Sequence, residues 1–276
     1  MIPLDENSIR SHIKPTEINQ PLYFHLLNTI HSTNRFLKEI PSSEGITICC
    51  TEKQTQGRGR FGRTWHSPFG ENIYFSARWH VQCELSCLSG LSLVVSLAVL
   101  NTLNELGLTD NLSIKWPNDI LWHEKKLSGC LIELLAPAKA QAEVIIGIGI
   151  NVNSSFTTSD KTESENNEPL IDRPWCSLLD ISTTSYDRNL IIGRLIIHLN
   201  HYFQCLMTHG FAYFLSKWQM VDALKGQFIT VSQPSGVING TAQGIDHTGQ
   251  LIIIDPSGKT HAFSSGDASI KNDRIK

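Results

Sequence analysis

The sequence predicts an α+β protein: a mixed, largely antiparallel sheet with helices on one face, followed by a small C-terminal SH3-like β-barrel. Three observations carry that expectation. Between Leu22 and Asn153 short β-branched runs outnumber helical ones, which disfavours the strand–helix alternation of a doubly wound fold. Residues 88–106 and 187–209 place apolar side chains at helical spacing. Beyond Lys225, short strand-like runs are separated by turn clusters at Gln233-Pro234-Ser235-Gly236, Asp246-His247-Thr248-Gly249 and Pro256-Ser257-Gly258, a pattern that closes small barrels.

At 276 residues the chain can hold one large and one small domain. Composition divides it into a lead-in over 1–21, a main domain over 22–223 and the barrel over 224–276. Apolar residues make up 41% and charged ones 18%, an ordinary globular mixture. The net charge of -3 opposes a chain built to coat nucleic acid. Seven cysteines, an odd number, and a charged opening at Asp5-Glu6 fit free thiols in a reducing cytoplasm. Cys83 and Cys87 are too widely spaced for a zinc knuckle and read as structural.

In order, the lead-in carries Pro3, Pro15 and Pro21 and has room for at most a short helix. Leu22 to Leu27 reads as a strand, and Ser32 or Thr33 then caps a helix carrying Phe36, Leu37 and Ile40. The same hydroxyls, standing at a helix start, can also meet a ligand. Gly45 to Thr51 is a β-branched run that delivers Gln54. Ile73, Phe75, Ala77 and Trp79 alternate with Tyr74, Ser76 and Arg78 at the period of a strand. The apolar run from Leu88 to Leu106 is broken by eight polar or glycine positions, so it reads as a buried helix and not a membrane span. Leu112 to Trp116 is a further strand. Ile120 to Trp122 and Lys126 to Leu134 form a hairpin about His123-Glu124-Lys125, and Glu143 to Ile150 follows. Residues 154–172 are polar and acidic, with too little apolar surface to order themselves, and read as a mobile loop. Asp187 caps a long amphipathic helix closed by His209-Gly210, and a shorter helix runs through Phe214 and Trp218.

The chemistry centres on Gly57-Arg58-Gly59-Arg60-Phe61-Gly62-Arg63. Glycine frees the backbone for close ligand approach, and arginine offers a rigid fork of donors suited to carboxylate and phosphate. Such a loop can close over an anion and exclude water. The alternatives are a solvated basic loop and an RNA-binding Arg-Gly tract.

Further stretches accompany it in order: Ser32-Thr33-Asn34, Trp65 with Ser67-Pro68, Lys115-Trp116-Pro117-Asn118-Asp119, Lys126-Leu127-Ser128-Gly129 with Glu133, and Gly147-Ile148-Gly149-Ile150-Asn151. Each is short; their co-occurrence is specific. From about Leu22 to the C-terminus the chain resembles the biotin protein ligases, which attach biotin to a lysine of biotin-dependent carboxylases. The resemblance implies a class II synthetase-like catalytic domain that uses ATP and Mg²⁺ to make biotinyl-5'-AMP. It also implies transfer of biotin to a lysine of the biotin carboxyl carrier protein of acetyl-CoA carboxylase or a related carboxylase.

By the same resemblance, Ser32, Thr33, Asn34 and Gln54 surround the biotin ring system, and Gly57, Arg58, Gly59, Arg60 and Trp65 belong to the loop that covers biotin and its adenylate. Lys126 contacts the biotin carboxylate and α-phosphate. Arg58, Arg60, Asn118 and Asn151 face the nucleotide, and Gly129 and Gly147 allow close backbone approach. Asp119 is the candidate Mg²⁺ contact and either orients or deprotonates the acceptor amine. Trp116 reads as core packing, whereas Trp65 reads equally as packing or as ligand contact.

Residue chemistry reaches a similar point independently. Joining a carboxylate to the α-phosphate of ATP needs two anions held together, so cations at Arg58, Arg60 and Lys126 are the first requirement. No side-chain nucleophile is needed, and no nucleophile-elbow sequence is present. The departures from the family pattern are His31 at a usually acidic position, Phe61 at a usually polar or basic one, and a long insertion at 154–172. The residues before Leu22 are too few for a three-helix DNA-binding unit, so ligation without a repressor role is expected, with no nucleic-acid and no membrane partner. Exposed sheet edges would permit a homodimer. The competing readings are ligation of lipoate or octanoate, and a nucleic-acid-binding protein.

Overall fold

The computed structural model describes residues 2–138, 141–155 and 174–270. The acidic stretch expected to form a mobile loop lies, from residue 156 to 173, outside the described residues.

The lead-in is a clasp. Asp5 accepts a hydrogen bond from the Ser8 amide at 2.7 Å and so caps α1 (Glu6–Ser11). Ile9, the helix's apolar residue, is fully buried. Gly193 makes room for it, since a Cβ there would stand 2.9 Å from the Ile9 carbonyl oxygen. The Leu4 amide donates to Glu52 and Arg188 donates to the Ile2 carbonyl, so the segment is held by a buried ion pair.

The main body follows as β1 (Leu22–Ile30), α2 (Thr33–Glu39), β2 (Ile46–Gln54), β3 (Ile73–Val81), α3 (Leu91–Glu105), β4 (Leu112–Lys115), β5 (Asp119–Trp122), β6 (Lys125–Ala138), β7 (Gln141–Ile150), α4 (Leu178–Ser182), α5 (Arg188–His209) and α6 (Leu215–Gln219). The seven strands lie in the order β1-β2-β3-β7-β6-β5-β4. Only the β1–β2 pairing is parallel among the described strands of this sheet, so it is mixed and largely antiparallel, as expected.

The two long helices, α3 and α5, cover one face, where Trp79 stacks on Phe203 at 5.4 Å. The short α2 covers part of the other, packing Leu37 against Cys49 and Ile145. Both faces of β3 are therefore buried, and its sequence alternation separates two cores rather than core from solvent. Arg78, on the α2 side, donates to the carbonyls of Leu37, Ile40 and Pro41 at 2.7, 3.1 and 2.6 Å and closes the end of that helix. By length and composition Leu85–Glu105 could cross a membrane, but 56% of its apolar window is buried inside the molecule, as a core helix requires.

The C-terminal sheet comprises β8 (Phe228–Gln233), β9 (Gly236–Ile245), β10 (Leu251–Ile254), β11 (Thr260–Phe263) and β12 (Asp267–Ile270), ordered β11-β10-β9-β8-β12. It is antiparallel throughout and has the SH3-like build expected, with one strand, β12, that the sequence did not announce. One turn, between β9 and β10, fastens it to the main body. The Trp116 indole donates to the Gly249 carbonyl at 3.1 Å, and the Ser89 hydroxyl donates to the Thr248 carbonyl at 2.7 Å. Trp116 is thus core packing, and its peptide bond to Pro117 is cis.

Candidate active site

The strand ends and the arginine loop enclose a cavity of about 820 Å³. Ser32, Thr33, Asn34 and Gln54 line one part of it, and Arg58, Gly59, Arg60, Asn118, Asp119 and Lys126 line another. Trp65, Gly129, Gly147 and Asn151 complete the set the sequence singled out. Gly57 is the exception. It sits behind the wall, where a Cβ would come within 2.5 Å of the Trp65 carbonyl oxygen, so it serves the turn and not the cavity surface.

Position at the first part follows from the start of α2. Ser32 occupies the N-cap with extended backbone, but its side chain makes no capping bond, contrary to the capping expected. The Thr33 amide donates instead to Gln54 Oε1 at 2.9 Å, and Gln54 Nε2 donates to Ser67 Oγ at 3.3 Å. Gln54 thus caps the helix from the end of β2. Asn34 is held against Glu133 by a 2.8 Å bond from its amide nitrogen. Gly147 is required here, since a Cβ would meet Asn34 Oδ1 at 2.1 Å.

The second part is cationic. Lys126 Nζ lies 2.7 Å from Asp119 Oδ1, with Lys115 Nζ 3.7 Å from the other carboxylate oxygen. A side chain at Gly129 would crowd that pair, at 3.1 Å from Lys126 Nζ and 3.2 Å from Asp119 Oδ1. Lys126 Nζ also stands 5.2 Å from the Trp65 ring centroid, so Trp65 faces the site as well as packing. The Trp65 indole N–H is buried without a partner among the described residues, and a Cβ on Gly149 would strike its ring.

Arg60 reaches Asn118 Oδ1 at 3.5 Å and lies over the Phe61 ring. Burial lowers its pKa, partly offset by Cys130 and Asp119; the guanidinium is costly to desolvate and is poised to gain from an anion. Phe61 itself is exposed, with a left-handed backbone at φ 55°, and marks the tight corner of the loop. Asn151 spends its amide on the Cys176 and Lys126 carbonyls, at 3.1 and 3.4 Å, tying β7 to the segment that follows Trp175.

Asp119 is a carboxylate that stands among cations. Among the described residues no group of three or more His, Cys, Asp or Glu side chains can hold an ion, and both Asp119 oxygens face ammonium groups. A Mg²⁺ entering with a triphosphate would therefore meet this protein carboxylate and the substrate's own phosphates, not a protein cage.

Sequence reading missed Lys115 and Asp267 among the lining residues. Lys115 stood inside a quoted motif and could have been found from its charge. Asp267 could not, because its strand went unrecognised. It pairs with Arg63 across the two sheets.

Comparison with known proteins accords with this geometry. Residues 26–151 match the Biotin/lipoate A/B protein ligase family, and residues 226–271 match the Biotin protein ligase C terminal domain. The chain is 31% identical over 248 residues to the bifunctional ligase/repressor BirA of Salmonella typhimurium, covering 90% of this chain and 74% of that protein. It belongs to the biotin protein ligase family.

Within the family it is 30% identical over 276 residues to the biotin--[acetyl-CoA-carboxylase] ligase of Mycobacterium tuberculosis, covering 96% and 95% of the two chains. The fold is similar to that of the Aquifex aeolicus biotin protein ligase solved with biotin and ATP, with a TM-score of 0.73, 28% identity and coverage of 90% and 98%. The biotin protein ligase departure at His31 has a local explanation: its ring Nδ1 lies 3.0 Å from Thr55 Oγ1, which fastens the end of β1 to the loop after β2.

Proposed function

We propose that this protein joins biotin to the α-phosphate of ATP, giving biotinyl-5'-AMP and pyrophosphate, and then passes the biotinyl group to a lysine of a biotin carboxyl carrier protein. One observation carries the reading. A hydroxyl-and-amide end at Thr33 and Gln54 and a cationic end at Arg58, Arg60 and Lys126 share one cavity, with the apolar residues Trp65 and Leu131 also lining it. Biotin has the matching form: a polar cyclic urea, an apolar chain and a terminal carboxylate.

In the first step the carboxylate oxygen attacks the α-phosphorus and pyrophosphate leaves. Lys126 and Arg60 offset the charge that gathers on the five-coordinate phosphorus. Asp119 aims Lys126 before the substrates arrive. Both of its carboxylate oxygens are already engaged by ammonium groups, so positioning is the role we assign it. Any Mg²⁺ would come as the counter-ion of the triphosphate. In the second step the acceptor amine attacks the carbonyl of the mixed anhydride and AMP departs. The loop with Arg58 and Arg60 keeps water from the anhydride meanwhile.

We assign the catalytic domain to 22–223 and the barrel to 224–276. All seven cysteines are free, in keeping with a reducing cytoplasm. β1 is the terminal strand of its sheet and would allow two chains to pair edge to edge as a homodimer. The functional test is incubation with biotin, ATP and a purified carrier domain, followed by mass spectrometry. Biotin on one carrier lysine is expected, and an unmodified carrier would refute the reading.

A further inference from the structure

Away from the cavity, three sulfur atoms gather beyond the end of β3. That strand carries Phe75 on the cavity wall and ends at Val81. Cys83 follows, and one turn of 3-10 helix at Leu85–Leu88 brings Cys87 back beside it. The Cys87 amide closes the turn on the Glu84 carbonyl at 3.0 Å. Burial pushes the Cys83 thiol up, and the charge and hydrogen bond of the neighbouring Cys87 thiol push it further, so the two groups are in contact. Met207, near the C-terminal end of α5, supplies the third sulfur: its Sδ lies 4.0 Å from Cys83 Sγ.

The spacing suits one ion held between them. A metal–sulfur bond is about 2.3 Å long, and three sulfurs arranged in a plane around one ion at that length stand about 4.0 Å apart. Cys83 and Met207 already have that separation. The ligand type is as telling. Two thiols and a thioether are soft donors, which select a soft ion such as Cu⁺. Zn²⁺ takes four ligands drawn from Cys, His, Asp and Glu, and among the described residues no group of three such side chains is placed to hold an ion. Access is open, since Cys87 is exposed and Cys83 partly so, whereas Cys49, Cys50, Cys130 and Cys176 are buried. Cys205, the remaining thiol, lies 3.8 Å from His201 Nε2 and forms a separate pair.

We propose that Cys83, Cys87 and Met207 form a binding site for a soft monovalent cation, Cu⁺, held by three sulfurs. The two cysteines alone make no zinc knuckle, as their spacing indicated, and the thioether that completes the site stands 124 positions from Cys83 in the chain. On binding, both thiols give their protons to solvent, so affinity rises with pH. None of the three residues lines the cavity, so the site stands apart from the ligase chemistry and does not depend on that reading.

The test is anaerobic competition for Cu⁺ between the full-length protein, kept reduced, and the coloured chelator bicinchoninate. Wild type is expected to withdraw one Cu⁺ per chain, and X-ray absorption of that complex to show three sulfur neighbours at about 2.3 Å. Cys87→Ser, at an exposed position that folding tolerates, should leave the ion with the chelator. Met207→Leu keeps both thiolates and the packing volume. It should lose at least about tenfold in affinity, the lower end of what even an outer partner of a metal site is worth, and show one sulfur fewer. Cys205→Ser should bind as wild type does. A wild-type protein that withdraws no Cu⁺ would overturn the proposal, as would undiminished binding by Cys87→Ser or Met207→Leu. Loss of the ion in Cys205→Ser would place it at Cys205 and His201 and overturn the proposal equally.

Discussion

Lys126 Nζ stands 2.7 Å from Asp119 Oδ1, so the site's central cation is aimed before any substrate is present. The pair is half-enclosed rather than sealed, with 28% of the Lys126 side chain exposed, and an arriving phosphate or carboxylate can share the ammonium without an unpaired charge being buried.

Removing that cation should damage chemistry more than binding. Lys126→Ala is expected to slow biotin-dependent pyrophosphate release by roughly 10²–10³-fold, the usual cost of one fixed donor at developing charge. Asp119→Asn, which loosens the aim but keeps the cation, should cost less. Comparable rates for wild type and Lys126→Ala would remove Lys126 from the mechanism.

Arg63 and Asp267 connect the arginine loop to β12 of the C-terminal sheet. Both side chains are partly exposed, so the pair should add under about 1 kcal/mol to stability. Its effect belongs on the lid. Asp267→Asn, and separately Arg60→Ser, should release biotinyl-5'-AMP into solution faster, with stray biotinylation of nearby lysines, while the melting temperature stays nearly constant. Retention of the adenylate with wild-type lifetime in both variants would contradict the role given to the loop.

Much of this was legible in the chain because the signals were local. The hairpin around His123 declared itself by turn residues, and the long helix by Asp187 and Gly210, which cap it as expected. The site residues were found because their glycines and cations cluster in short stretches. What was missed depends on distant partners. Ile9 is a lone apolar residue in a polar hexamer, and it is core because its helix backbone seats closely against Gly193 of α5. β12 reads Asp-Ala-Ser-Ile, with no apolar run, and is a strand because β8 pairs with it. The hydrogen bonds that join Ser76 to Thr33 and Asn34, and Asn34 to Glu133, link residues 42 to 99 positions apart, so no spacing rule could reveal them.

Glu52 and Arg188 test the clasp. Their side chains are 7% and 1% exposed, and the pair holds the N-terminal segment against α5. Glu52→Ala leaves Arg188 buried with its charge unmatched, at a cost of about 3–5 kcal/mol. The melting temperature should fall by roughly ten degrees. A fall of about two degrees or less would show that solvent reaches the guanidinium.

Glu105 supplies the acid-sensitive contact. Its hydrogen bond from Arg194, with a further bond from His198, holds its pKa below the ordinary carboxylate value. A depressed carboxylate adds stability above the unfolded-state pKa and loses it as pH falls through the lowered folded-state value. Its side chain is more than a third exposed, so the contribution is modest. Glu105→Gln should lower the melting temperature slightly at neutral pH and leave it unchanged in strong acid. An equal deficit at both pH values would contradict the linkage.

The central claim is that one cavity brings a carboxylate and a nucleotide together as a mixed anhydride. The direct measurement is mass spectrometry of an acid-quenched mixture of protein, biotin and ATP, with single omissions as controls. Biotinyl-5'-AMP in amounts comparable to the protein, and none when either substrate is left out, is the expected result. Folded protein that yields no adenylate from the complete mixture would contradict the account.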